Sequence, residues 1–238
     1  MNLLRFDSEQ AWIGAVCSMW RDRLHTRPAL KMCLPSGTTP AGIYAEMSRS
    51  ARSGLVSFAR ATVFALDEFG GLAADDPGRT SHTLQRQLIE AVGLPSSAFL
   101  FLDPDNHDVN QHCLDYDMTI GDGFDLVLLG IGLNGHLGMN EPGSPLDSPT
   151  RRVDLHRTTV QSSARYFAHQ NLPRWGLTVG LKAIMAAKEV WLLANGPAKA
   201  QVVEQTVRGD VGLANPASLL REHPNCSFFV DAEAGGLV

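Results

Sequence analysis

With 238 residues, 44% of them hydrophobic and 19% charged, the chain can bury a sizeable core as one large α/β domain or two small ones. No Pro/Ser-rich linker, low-complexity tract or internal repeat divides it, so a single domain over 1–238 is expected. The formal net charge of −5 argues against a general nucleic-acid binder, which needs a basic face, and leaves any anionic ligand to local cations.

The N-terminal MNLLRFDSEQAW has early acidic residues and no apolar core, so it does not read as a signal peptide. No stretch approaches the ~18 apolar residues of a membrane helix, and a soluble, cytoplasmic protein is expected. A helical pattern over Glu9–Leu24 leads to a strand at Ala29–Leu34, and the next helix covers Pro40–Arg52. Between them Pro35-Ser36-Gly37-Thr38-Thr39-Pro40 joins strand to helix, with Thr39 suited to the N-cap and Pro40 to the first helical position. The strand Ala61–Leu66 then runs into Asp67-Glu68. Helices over Ser81–Val92 and Asn110–Ile120 precede the apolar strand Asp125–Gly130, whose glycine-rich exit holds His136 and Glu141. A weaker strand at Arg152–Leu155 and a helix over Leu177–Ala187 follow. Strand Glu189–Ala194, helix Ala198–Val207 and strand Cys226–Val230 complete the chain.

Strands alternating with helices predict parallel βαβ units. The expected fold is an α/β, single-domain, Rossmann-like arrangement, its mostly parallel sheet covered by helices on both faces. No GxGxxG fingerprint follows the first strand. In open sheets of this kind the ligand crevice lies beyond the carboxyl ends of the strands, where the chemistry-bearing residues also fall.

Ser36, Gly37, Thr38 and Thr39 suit an anion: Gly37 permits a tight turn of N–H groups, the helix start adds partial positive charge, and the hydroxyls add donors. No GK[ST] follows, so the loop is not a nucleotide-hydrolysing P-loop. Lys199 stands at a helix start, where a cation is unfavourable unless an anion joins it. Arg165, in SSARYF, is a second candidate cation. A carboxylate ending an apolar strand is partly desolvated and so a stronger base, which singles out Asp67. Glu68 is the weaker candidate, because neighbours on an extended segment point opposite ways. His136 and Glu141 can form an acid/base pair. Cys17, Cys33, Cys113 and Cys226 show no CxxC spacing and no grouping with histidine, which predicts four reduced, packed thiols and no metal site. His25, His82, His107, His112, His156, His169 and His223 lack a motif and are assigned surface or structural roles.

The string GIGLNGHLGMNEPG at 130–143 resembles the signature of the glucosamine-6-phosphate deaminase family, also called glucosamine-6-phosphate isomerases. LPSGTTP at 34–40, ALDEF at 65–69 and GLTVGLKAIMAAKEVWLLANGPAKA at 176–200 agree with that family in order and spacing. The resemblance implies the same Rossmann-like fold and a sugar-phosphate substrate. It also implies a reaction with neither metal nor organic cofactor. It places phosphate on the 36–39 loop, Arg165 and Lys199. It makes Asp67 the base at C2 of the open-chain amino sugar and His136 the ring-opening group, with Glu141 orienting the histidine. Asn134 and Gly138 belong to the same string, and Asn134 stands where many members have aspartate. Since an amide supplies no negative charge, His136 is expected to rely on Glu141 alone.

Pro77-Gly78-Arg79-Thr80 looks more like galactosamine-6-phosphate isomerases, while the setting of Arg165 looks like the glucosamine branch, so the epimer stays open. 6-Phosphogluconolactonases share the fold and a similar loop, but the NEPG continuation here is the deaminase form. An inactive sugar-phosphate sensor is the other rival, although Asp67, His136 and Glu141 are all retained. A homo-oligomer is left open; neither nucleic acid nor membrane is expected as a partner.

Overall fold

The continuous apolar runs become strands buried on both sides, because helices cover both faces of the sheet. In the computed structural model, which describes residues 1–167 and 172–238, the chain begins β1 (Asn2–Arg5), α1 (Glu9–Thr26), β2 (Lys31–Leu34) and α2 (Ala41–Arg52). Next come β3 (Thr62–Ala65), β4 (Asp67–Phe69), α3 (Thr80–Leu84), β5 (Phe99–Leu100), α4 (Val109–Ile120) and β6 (Leu126–Gly130). It continues with β7 (Arg151–Asp154), α5 (Arg157–Ser163), β8 (Trp175–Thr178), α6 (Leu181–Met185), β9 (Val190–Ala194), α7 (Ala200–Arg208) and β10 (Cys226–Val230).

Seven strands form one sheet in the order β1-β10-β9-β6-β2-β3-β5, every pairing parallel. Alternate residues serve opposite cores. In β6, Val127 and Leu129 join Tyr116, Phe124 and Val203 on one face, while Leu126 and Leu128 join Trp12, Trp20 and Ile43 on the other. β9 repeats the pattern, Leu192 on the first side and Trp191 with Leu193 on the second. The four cysteines are free and buried. Among the described residues no helix is long and apolar enough to cross a membrane.

The structure corrects the sequence reading at several points. A second, three-stranded sheet, β4-β8-β7, is antiparallel and was not expected. The segment read as one helix over Leu177–Ala187 starts as β8; only Leu181–Met185 is α-helical. Gly176 explains the strand: a Cβ there would sit 2.2 Å from Met139 Sδ and 2.7 Å from the Glu68 carbonyl, so glycine lets β8 close on its neighbours. The helix read over Ser81–Val92 is α3 followed by a π-helical turn at Gln85–Ile89. Pro40, not Thr39, occupies the N-cap of α2, with no side-chain cap bond. The edge strands β1 and β5 were also missed, each too short for a periodic signal.

Candidate active site

The order in which strands are added to the large sheet switches sides between the parallel neighbours β2 and β6: β2 leads outward to β3 on one side, β6 to β9 on the other. Loops leaving the carboxyl ends of neighbouring strands at such a switch point diverge and open a crevice. Here the loops after β2, β3, β6 and β9 enclose a cleft of about 210 Å³, with α5 and the residues after it closing one side. Ser36, Gly37, Thr38, Thr39, Asp67, His136, Gly138, Arg165 and Lys199 all line it. Glu68, Asn134 and Glu141 do not.

At one end stands the loop 35–40. Gly37 has φ +111, and a Cβ there would come 3.1 Å from Tyr166 Oη, so conformation and contact both call for glycine. Among the described residues, the amide N–H groups of Ser36, Gly37, Thr38 and Thr39 find no protein acceptor. Arg165 lies 4.9 Å over the Tyr166 ring and donates to its hydroxyl at 3.0 Å. Lys199 donates to the Ile131 carbonyl at 2.5 Å, and burial, with the Arg165 charge next, lowers its ammonium to about 8. Free amides and two cations in one pocket favour a multiply charged anion.

Toward the middle, Asp67 is only partly covered and faces the cleft. Burial first, and the Glu68 carboxylate second, push its carboxyl up to about 7. Glu68 turns the other way and is 1% exposed. It accepts from the amides of Phe69 (2.8 Å), Thr80 (2.8 Å) and Ser81 (3.0 Å) and from the Ser81 hydroxyl (2.5 Å). Its part is to tie β4 to the start of α3, rather than to reach a ligand. Thr80, brought to the cleft by that tie, donates its hydroxyl to the Asp67 carbonyl. Gly138 (φ +60) passes close behind, where a Cβ would meet Thr178 Oγ1 at 2.9 Å.

His136 lines the same cleft. The Asn134 amide stands between it and Glu141: Nδ2 donates to Glu141 Oε2 at 2.9 Å, and Oδ1 lies 2.7 Å from His136 Nδ1. The carboxylate needs a donor, which fixes the amide's orientation. An acceptor therefore faces the imidazole, Nδ1 carries the hydrogen, and in the neutral ring Nε2 keeps its lone pair. Glu141 is 3.6 Å from Nδ1 and also accepts from the His156 amide at 3.1 Å. His136 thus does not rely on Glu141 alone, as the sequence suggested; its direct partner is Asn134. The Thr159 hydroxyl, 3.1 Å from Nδ1, completes the contacts and had no sequence signal. Burial lowers the imidazole below its ordinary value, Lys199 and His156 add to this, and Glu141 opposes it.

Of the other histidines, His156 borders the site through its backbone amide, which donates to Glu141. His223 is buried, bonded to the Ala187 carbonyl and the Asn225 amide, and His112 accepts from the Asp103 amide. His169 lies outside the described residues. Among the described residues no three His, Cys, Asp or Glu side chains are arranged to hold a metal.

This crevice at a sheet switch point, with an anion cradle beside acid/base groups, is found in a known class. The model of the family "Glucosamine-6-phosphate isomerases/6-phosphogluconolactonase" matches residues 7–228, and the chain belongs to that family of enzymes. Within it, the chain is 33% identical to the glucosamine-6-phosphate deaminase of Bacillus pumilus over the whole of both chains. It is 35% identical to that of Bacillus velezensis, over 99% of each. The solved structure of a monomeric glucosamine-6-phosphate deaminase superposes with a TM-score of 0.96 at 29% identity, both chains covered in full. A 6-phosphogluconolactonase from Trypanosoma brucei shares the fold at TM-score 0.76 and 20% identity, covering 99% of this chain and 97% of its own.

Proposed function

We propose that this protein is a glucosamine-6-phosphate deaminase, converting glucosamine 6-phosphate and water to fructose 6-phosphate and ammonia. The observation that carries the reading is the pairing, across one small cleft, of a carboxylate pushed to about 7 with a histidine whose Nε2 is left free. The phosphate is assigned to the amides of 36–39, Arg165 and Lys199. His136 moves the proton between O1 and O5 that opens the pyranose, with Asn134 and Glu141 behind it as positioning residues. Asp67 removes the C2 proton and returns it to C1, so the 2-amino aldose becomes a ketose imine by way of an enolamine. Water adds at C2 and ammonia leaves. A carboxylate titrating near 7 suits both directions of that transfer, since it is a better base than an ordinary aspartate and a competent acid once protonated.

Buried free cysteines suit a reducing, cytoplasmic setting. The glucosamine epimer is preferred over galactosamine because the full-length relatives carry that name. Ammonia release from glucosamine 6-phosphate, galactosamine 6-phosphate and 6-phosphogluconolactone controls in parallel tests the reading. Turnover of the first, at the highest kcat/KM, is expected. Galactosamine 6-phosphate turning over faster would overturn the epimer, and lactone hydrolysis without ammonia release would overturn the reaction.

A further inference from the structure

Two side chains outside the cleft hold the loop 35–40 from behind. Tyr44, fully buried on α2, donates its hydroxyl to the Pro35 carbonyl at 2.6 Å. Gln87 donates Nε2 to the Gly37 carbonyl at 3.0 Å. Among the described residues no peptide bond is cis, so in this loop each carbonyl points opposite to the N–H of the next residue. Neither Tyr44 nor Gln87 lines the cleft, whereas Ser36 and Thr38 do. Pulling the Pro35 and Gly37 carbonyls back therefore turns the Ser36 and Thr38 N–H groups forward.

Gln87 reaches the loop through an irregularity. It sits inside the π-helical turn Gln85–Ile89, where the Glu90 amide bonds the Gln85 carbonyl five residues back. A regular helix turns about 100° per residue, so the widened turn resets which residue faces α2 and the loop. Leu88 and Ile89 still join the core with Trp20, Tyr44 and Met47, while Gln87 is aimed at Gly37. The arrangement has a cost, because Gln87 Oε1 is buried with no partner among the described residues. An apolar side chain would avoid that cost. What the glutamine supplies in return is the donor to Gly37.

Resting on the phosphate reading of this loop, we propose that Tyr44 and Gln87 are positioning residues that aim the Ser36 and Thr38 amides at the substrate phosphate. The Pro35 carbonyl is gripped from one helix and the Gly37 carbonyl from the next, so the two amides are set before any anion arrives. Preset dipoles of this kind strengthen binding because no reorganisation is needed.

The test uses the full-length enzyme with Gln87→Met and, separately, Tyr44→Phe. Competitive inhibition by inorganic phosphate, KM and kcat for glucosamine 6-phosphate, and Tm are read together. Gln87→Met is expected to weaken phosphate inhibition and raise KM by about fivefold to tenfold, as for one lost hydrogen bond. kcat should stay within about twofold, and Tm should change little, since removing the unpaired oxygen offsets the loss of the donor to the Gly37 carbonyl. Tyr44→Phe should move phosphate inhibition the same way, with a lower Tm because it leaves the Pro35 carbonyl buried without its donor. A fall in Tm with unchanged phosphate inhibition in both variants would reduce the two residues to packing and overturn the proposal. So would a wild-type enzyme indifferent to inorganic phosphate. A wild type that binds phosphate but releases no ammonia would instead sink the deaminase reading alone.

Discussion

The two ends of the cleft treat charge in opposite ways. At the end proposed to hold phosphate, Arg165, Lys199 and four amides with no acceptor among the described residues gather positive potential that suits an anion. At the end proposed for proton transfer, burial works toward neutrality, holding Asp67 up at about 7 and His136 below its ordinary value. Desolvation disfavours whichever form is charged. A site that binds one part of its ligand by charge and moves protons on another part needs both settings within a few ångströms. The sheet supplies them by drawing the two ends from different loops: Asp67 follows β3 and His136 follows β6, while the amides follow β2 and Lys199 follows β9.

The comparison predicts that changes at the two ends separate in kinetics. Asp67→Asn should lower kcat by roughly 10²–10⁴-fold, the usual worth of a positioned base, while inorganic phosphate inhibits as before. A shifted phosphate inhibition constant would show that the ends are not independent. Lys199→Met should act in reverse, raising KM about tenfold or more with a smaller change in kcat. Lys199 also gives the phosphate end a proton signature. Its ammonium is lowered to about 8, and a bound phosphate favours the charged form, so binding should take up a proton as pH rises through that value. Calorimetric titration with inorganic sulfate, a dianion at both pH values, in two buffers of different ionisation enthalpy should show a larger buffer-dependent heat at pH 8.5 than at pH 6.5.

The smallest effect is on stability. Asp67 binds its proton more tightly in the folded than in the unfolded chain, about 7 against an ordinary 3.8. Stability is therefore lost as pH rises from about 4 to 7, and the full penalty stands above 7. Asp67→Asn removes the charge, so its Tm advantage should grow over that window and level off above it, reaching roughly 2–4 °C for each ~1 kcal/mol relieved. A flat difference across pH would mean that the carboxyl is not desolvated.

Much of this was legible in the sequence. Asp125–Gly130, Glu189–Ala194 and Cys226–Val230 read as strands because apolar runs between turn residues have few other uses in a short segment. Ser36–Thr39, Asp67, His136, Arg165 and Lys199 were picked out and do line one cleft. What escaped is what depends on contacts far along the chain. β8 was hidden because Leu177, Leu181 and Ile184 recur at helical spacing, although Gly176 and Gly180 are poor helix residues. A Cβ on Gly180 would lie 2.0 Å from the Ser148 carbonyl, an approach no local pattern reveals. Asn134 read as a lost charge, when its two-ended amide is the bridge between His136 and Glu141. Glu68 read as a second candidate carboxylate, and only the fold shows it spent on the amides of Phe69, Thr80 and Ser81.

The most direct test of the central claim, that Asp67 is the base at C2, is proton exchange followed by NMR in deuterated water with glucosamine 6-phosphate. With wild-type enzyme, deuterium is expected at C1 of the fructose 6-phosphate formed and at C2 of recovered substrate. Both should be all but absent with Asp67→Asn, even at saturating substrate. Exchange at wild-type rate in that variant would contradict the account and move the base to another residue of the cleft.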